Sequence, residues 1–243
     1  MNLTYDHIAR KIDHSLLQPT LDDAQLEAGC RLALDYGVAS VCIKPYAVPL
    51  AAKILEGSAV GVGTTIGFPH GGHSSAIKVL EAKQAIADGA TELDMVVNIG
   101  QVLAGRWDAV GEEVAAITRL AHDSGAIVKV IFENCYLDDD QKRQLCRICG
   151  ESGADFVKTS TGYGTGGSTR ADLILMRESS PAHVKLKAAG GVRDLDSVIA
   201  CIDLGCERIG LSKTAEILDA LCDRLGRPRV VSRGTPVGAA DGY

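Results

Sequence analysis

The chain is predicted to fold as a parallel barrel of eight strands and their covering helices, a (β/α)8 barrel with a short N-terminal extension and a flexible C-terminal tail. Three observations predict it. Eight short runs rich in β-branched and apolar residues recur along the chain. Amphipathic helical patterns separate most of them, and glycines stand just ahead of the next strand. The length of 243 residues matches the roughly 250 that one such barrel needs.

In chain order the strand candidates are "KIDHSLL" (11–17), "VASVCI" (38–43), "VGVGTTIGF" (60–68), "TELDMVVNI" (91–99), "AIVKVIFE" (126–133), "DFVKTS" (155–160), "HVKLKAA" (183–189) and "CERIGLS" (206–212). Leu26, Cys30 and Ala33 share one helical face. Val110, Val114, Ile117 and Ala121 share another, and Leu195, Val198, Ile199 and Ile202 a third. Thr20 and Asp194 are the expected N-caps. Gly37, Gly89, Gly125, Gly153 and Gly205 are the expected helix stops. Strands alternating with helices must be parallel, because parallel neighbours need a crossover. A doubly wound open sheet is the alternative, but it needs fewer strands and a cofactor loop after its first. The barrel is expected over residues 1–225. The Gly- and Pro-rich stretch 226–243 is expected to be a poorly ordered tail.

Composition narrows the partners. A net charge of −6 argues against a nucleic-acid or anionic-membrane surface. No apolar run approaches the roughly 18 residues of a membrane span, and the first residues lack the apolar core of a secretory signal. The eight cysteines are expected as reduced thiols in a cytoplasmic protein. Cys146 and Cys149 lie inside a helical pattern and are expected as small buried hydrophobes rather than a redox or zinc pair. His70 and His73 in "GFPHGGH" lack a third ligand, so that loop is expected to line a substrate mouth, with no metal. No cofactor is expected.

In such barrels the active site lies at the C-terminal strand ends. There the sequence places Asp13, Asp94, Lys158 and Lys187, with Asn98, Glu133, Asn134 and Thr159 on the same rim. Alternation puts Leu93, Met95 and Val97 against the helices and Asp94 inside the barrel. It puts Lys185 and Lys187 on one face of their strand. Buried charges are tolerable only if paired. Two lysines held close depress each other's protonation, and a free amine can form a Schiff base with a carbonyl. An ordinary Lys–Asp fastening of the barrel accounts for the spacing equally well. The glycine-rich stretches "GYGTGGS" (162–168), "AGGVR" (189–193) and "GLSKT" (210–214) follow the last three strands, and favour a phosphate there over plain turns.

"IDHSLL", "GFPHGG", "ELDMVVNIG", "FVKTSTGYGTGG" and "KAAGGVR", in this order and spacing, resemble the deoxyribose-phosphate aldolases over about residues 8 to 220. The resemblance implies a metal-independent class I aldolase. Its reaction is the reversible cleavage of 2-deoxy-D-ribose 5-phosphate to D-glyceraldehyde 3-phosphate and acetaldehyde, in deoxyribonucleoside catabolism. It implies Lys158 as the Schiff-base lysine, Asp94 as the acid/base, Lys187 as the neighbour that tunes Lys158, and Asp13 as the group that orients the lysines. It places Gly166, Gly167, Gly190, Gly191 and Ser212 at the phosphate. Lys44, Lys185 and Lys213 depart from the family pattern, and Lys213 either adds charge at the phosphate or points to solvent. The terminal Tyr243 is either a proton shuttle or a bystander. The assembly is left open between a single chain and a homodimer. The rival readings are a Schiff-base aldolase for another sugar phosphate and a catalytically silent sugar-phosphate sensor.

Overall fold

A computed structural model describes residues 4–233. Tyr243 lies outside the described residues. The strands are β1 Ile12–Leu16, β2 Ser40–Ile43, β3 Gly61–Ile66, β4 Glu92–Val96, β5 Ile127–Ile131, β6 Phe156–Lys158, β7 Lys185–Ala189 and β8 Cys206–Leu211. All pair in parallel with their sequence neighbours, and β8 pairs with β1, so the sheet closes. Each strand falls within the run that predicted it. Helix α1 (Tyr5–Ala9) precedes β1, and the crossovers carry α2 (Asp23–Tyr36), α3 (Val48–Leu55), α4 (Ser75–Ala87), α5 (Ile99–Leu103) and α6 (Trp107–Asp123). The later crossovers carry α7 (Asp139–Glu151), α8 (Arg170–Ser179) and α9 (Leu195–Asp203), and α10 (Thr214–Arg224) follows β8.

The apolar core is the layer between strands and helices. Leu93, Met95 and Val97 on β4 and just beyond are buried there, as the alternation requires. So is the predicted α6 face of Val110, Val114, Ile117 and Ala121. The larger of these side chains, Leu, Met, Val and Ile, each contribute roughly 1.5–3 kcal/mol by leaving water, so truncating Ile117 to Ala is expected to cost about 2–5 kcal/mol. Cys146 and Cys149 are buried on α7.

Helix ends explain where each crossover turns. Asp194 caps α9 by accepting from the Ser197 amide at 2.8 Å. The N-cap of α2 is Asp22, not Thr20. Asp22 accepts from the Gln25 amide at 2.9 Å, and the Gln25 side chain accepts from the Asp22 amide at 3.0 Å. This reciprocal box satisfies two otherwise orphaned donors, which Thr20, two residues too early, cannot reach. Gly37 takes the left-handed conformation after α2 (φ 63°), where a side chain would be strained. After α10, Arg227 lies over the Tyr5 ring at 4.3 Å, Arg229 pairs with Asp223, and Arg233 pairs with Asp35 at 3.2 Å.

Candidate active site

Strand register gathers the charged inward residues. Asp94 on β4 is the lateral partner of Lys129 on β5, and Lys158 on β6 is that of Lys187 on β7. Lys187 is in turn matched to Arg208 on β8, just past a register shift that lets Glu207 bulge. Gly210 makes room for this crossing: a Cβ there would stand 3.3 Å from Lys187 Cε.

The result is a column of ion pairs inside the barrel. At its centre, Asp94 Oδ2 accepts from Lys158 Nζ at 2.7 Å and from Lys187 Nζ at 2.8 Å, while Asp94 Oδ1 accepts from Lys129 Nζ at 2.8 Å. Lys187 also donates to Asp13, and Lys129 lies 3.3 Å from the same Asp13 oxygen. Toward the N-terminal end of the strands, Glu92 accepts from Lys129 at 2.6 Å and from Arg208 at 2.8 Å, and Arg208 reaches Asp13. Asp13, Asp94, Lys129 and Lys187 are fully buried, and Lys158 is 3% exposed.

Burial and partners decide the protonation of each member. Burial drives Asp94 upward, but Lys129, Lys158 and Lys187 together outweigh it and hold the carboxyl well below its usual range. Asp13 is likewise held down, by Lys129, Lys187 and Arg208. Burial pushes Lys187 down, but Asp13 and Asp94 outweigh it and leave Lys187 above its ordinary value. Lys158 differs. Burial lowers it, Lys187 adds to that lowering, and Asp94 opposes without prevailing. So the two neighbouring lysines separate, one a firm cation and the other a weakened one.

A cavity of about 140 Å³ opens onto this column at the C-terminal strand ends. Lys158, Lys187 and Asp13 line its polar part, and Asp94 stands behind them. Gly190 and Gly191 line it after β7, and Ser212 and Lys213 after β8. Gly166 and Gly167, expected at the phosphate, do not line it: Gly166 is exposed beside Cys135, and Gly167 stands behind Gly190. A Cβ on Gly167 would lie 2.5 Å from the Gly190 carbonyl oxygen, so the two loops touch backbone to backbone. Lys213 lies 3.4 Å from Glu216 just ahead of α10. The "GFPHGGH" loop reaches this region through Phe68, which packs edge-on at 5.3 Å against the cavity-lining Tyr163. His70 and His73 are exposed.

Several expected rim residues fasten the scaffold instead. Asn98 caps α5 at the Gln101 amide, 3.2 Å away, and Asn134 donates to the Met176 sulfur at 3.2 Å. Thr159 donates to the Ala189 carbonyl at 3.0 Å. Lys44 donates to the carbonyls of Pro19 at 3.0 Å and Leu21 at 2.7 Å, holding the chain between β1 and α2. Lys185 shares the parity of Lys187 but lies at the exposed start of β7, with its ammonium 5.6 Å from the Phe156 ring centroid. The residues that sequence reasoning missed are Lys129, Glu92, Arg208 and Arg193, the last of which lines the cavity. For Lys129 a signal existed: it is a lone charge between Val128 and Val130, in step with Asp94.

A closed parallel barrel that offers buried amines and carboxylates to a glycine-rimmed cavity belongs to the barrel enzymes that work from their strand ends. The family is more specific: the chain belongs to the DeoC/LacD family of aldolases, whose sequence profile matches residues 7–201. It is 55% identical over 226 residues to the deoxyribose-phosphate aldolase of Rhodopirellula baltica, covering 93% of this chain and 94% of that one. It is 45% identical over 212 residues to the deoxyribose-phosphate aldolase of Clostridium perfringens, covering 87% and 94%. Among solved structures it resembles the tetrameric deoxyribose phosphate aldolase of Aeropyrum pernix, with a TM-score of 0.83 and 32% identity over 89% of this chain and 92% of that one.

Proposed function

We propose that this chain is a class I aldolase that reversibly cleaves 2-deoxy-D-ribose 5-phosphate to D-glyceraldehyde 3-phosphate and acetaldehyde through a Schiff base on Lys158. The observation that carries the reading is the charge balance of the column. Asp13, Glu92 and Asp94 are matched by Lys129, Lys187 and Arg208, so Lys158 is a fourth cation facing three carboxylates. Within the column a proton on Lys158 is therefore in surplus, and Lys158 is the column's one lysine whose proton affinity is lowered, chiefly by burial. It also lines the cavity, where a carbonyl can reach it.

The amine of Lys158 attacks the C1 aldehyde, and loss of water leaves an iminium. The iminium draws the electrons of the C2–C3 bond while the C3 hydroxyl gives up its proton, and glyceraldehyde 3-phosphate departs. That proton leaves through a water toward Asp94, with Lys187 holding the carboxylate in place. The remaining enamine is protonated at its terminal carbon, with Tyr243 as the donor, and water then releases acetaldehyde from Lys158. Asp13 keeps Lys187 charged. The phosphate is held by Gly190, Gly191, Ser212 and Lys213, with Gly167 backing Gly190, and this remote grip positions the reacting carbons.

The same reading makes the protein a cytoplasmic enzyme of deoxyribonucleoside breakdown. All eight cysteines are unpaired, and among the described residues no helix is long and apolar enough to cross a membrane. A homodimer is the assembly proposed, to be checked by light scattering on the eluting protein. The deciding experiment is reduction with borohydride in the presence of acetaldehyde, followed by peptide mapping. An ethyl group on Lys158 is expected, and an adduct confined to Lys187, or none, overturns the assignment.

A further inference from the structure

Among the described residues, Glu133 is the one non-glycine with a left-handed backbone (φ 59°, ψ 62°). A side chain rarely adopts that conformation unless its surroundings hold it there. Glu133 follows β5. The amides on either side of it, Phe132 and Asn134, donate to the carbonyls of Lys158 and Thr159, each at 3.0 Å. Alternate residues on the β5 side are thus matched to consecutive residues on the β6 side, and Glu133 is the bulged one. The bulge aims its carboxylate across the end of β6, where only 2% of the residue is exposed.

There it meets Thr161. Both carboxylate oxygens lie 3.3 Å from the Thr161 amide, and the Thr161 hydroxyl donates a short bond to Oε2. The Thr161 oxygen in turn accepts from the Tyr163 amide at 2.9 Å. Gly164 closes over the carboxylate, since a Cβ there would stand 3.0 Å from Glu133 Cδ. Thr161, Gly162 and Tyr163 all line the cavity, and the Tyr163 hydroxyl donates to the Leu17 carbonyl at 2.8 Å. The hydroxyl proton of Thr161 is therefore committed to Glu133 and one lone pair to Tyr163. Its second lone pair can only accept.

We propose that Glu133 is a positioning residue that folds the 161–164 loop and makes Thr161 an obligate hydrogen-bond acceptor, so that the cavity selects an aldehyde phosphate carrying a hydroxyl. The inference rests on the aldolase reading above. A buried acceptor left without a donor discriminates strongly against a substrate lacking the hydroxyl. Glu133→Gln keeps the shape, but its amide turns a donor toward one of the two Thr161 donors and releases the hydroxyl to rotate.

The experiment compares glyceraldehyde 3-phosphate with 3-oxopropyl phosphate, which lacks the hydroxyl, as acceptors for acetaldehyde, in wild type, Glu133→Gln, Thr161→Ser, Thr161→Val and the double variant that joins Glu133→Gln to Thr161→Val. Borohydride trapping of acetaldehyde is run beside it. We expect the preference for the hydroxylated acceptor to fall about tenfold in Glu133→Gln and in Thr161→Val, to fall no further in the double variant, and to survive in Thr161→Ser. Trapping on Lys158 should stay within about twofold in the Thr161 variants, since acetaldehyde carries no group for Thr161 to read, and should not be lost in Glu133→Gln, where removing a carboxylate that interacts with Lys158 favours its free amine. A preference unchanged in Glu133→Gln, or trapping lost as fully as preference, overturns the inference. If Glu133→Gln does not fold, equal preference in the Thr161→Ser and Thr161→Val variants overturns it instead. Wild type that forms no adduct at all refutes the aldolase reading itself, a different outcome from either.

Discussion

Replacing Lys187 with Leu tests the electrostatic core of the proposed mechanism. Lys158 and Lys187 donate to the same oxygen of Asp94, so their ammonium groups are close neighbours. Two unit charges ~5 Å apart at an effective dielectric of ~20 repel by about 3 kcal/mol, equivalent to about a hundredfold in the fraction of free amine. In the variant that repulsion is gone. The column then holds three carboxylates against Lys129, Arg208 and Lys158, and neutrality requires Lys158 to keep its proton. The sign follows: the reactive form is the deprotonated amine, so raising its proton affinity moves the onset of reaction to higher pH. The assay is the rate of borohydride-trapped ethylation of Lys158 by acetaldehyde across pH 6 to 10. We expect a fall of about a hundredfold at pH 7 that recovers toward alkaline pH. Lys187→Arg, which keeps the charge, should retain the wild-type midpoint. Breaking a buried pair costs about 3–5 kcal/mol, so thermal melts must show the Leu variant folded at the assay temperature. A pH–rate profile in Lys187→Leu that superimposes on wild type would refute the repulsion argument and make Lys187 a proton donor instead.

Three further outcomes follow from the same contacts. Lys129→Met leaves Glu92, Asp13 and Asp94 short of a buried cation and should lower stability by about 3–5 kcal/mol in a urea titration; an unchanged midpoint would show that the column relaxes without it. Asp13 and Asp94 have lower proton affinities folded than unfolded. Their contribution is therefore complete above the unfolded carboxylate range, about pH 4, and is lost as pH falls from there toward the folded values, so the melting temperature should stay level in this respect down to about pH 4 and drop below it in wild type, and drop less in Asp13→Asn. Tyr243→Phe should slow exchange of the acetaldehyde methyl protons in deuterated water more than carbon–carbon cleavage, and equal rates would make the tail a bystander.

Much of this architecture was legible in the sequence because its signals are local. Strand runs, helix faces such as Val110 to Ala121 and glycine stops such as Gly37 each report on a few neighbouring residues, and eight repetitions leave little choice of topology. Asp94 and Lys187 were legible for the same reason, as charges on strand faces that alternation turns inward. What escaped notice depends on register between strands. Arg208 sits beside a bulge at Glu207 that breaks the period of two, so parity along "CERIGL" does not show its side chain reaching Asp13 and Glu92. Lys185 has the right parity but the wrong height on β7, and height is set by pairing with Phe156, which no single strand reveals. Asp22 displaced Thr20 because a capping box needs a partner three residues on, and only Asp22 has one in Gln25.

The column's composition bears on why the barrel is filled with charge at all. Buried ion pairs of this kind can often be replaced by apolar side chains of like volume with no loss of stability, so stability alone does not explain seven charged residues along one axis. Their arrangement does separate two lysines of identical chemistry on adjacent strands. Lys187 is locked between Asp13 and Asp94, whereas Lys158 shares a carboxylate already claimed by two other cations and stands at the edge of the cavity. Both lysines are placed by the strand ladder itself, as lateral partners in one register, rather than by a loop. The nucleophile proposed at Lys158, fixed in this way, keeps its charge environment when a substrate enters. In the proposed mechanism the glycine-rich rim, on loops that approach backbone to backbone at Gly167 and Gly190, answers only for which phosphorylated chain is held above it.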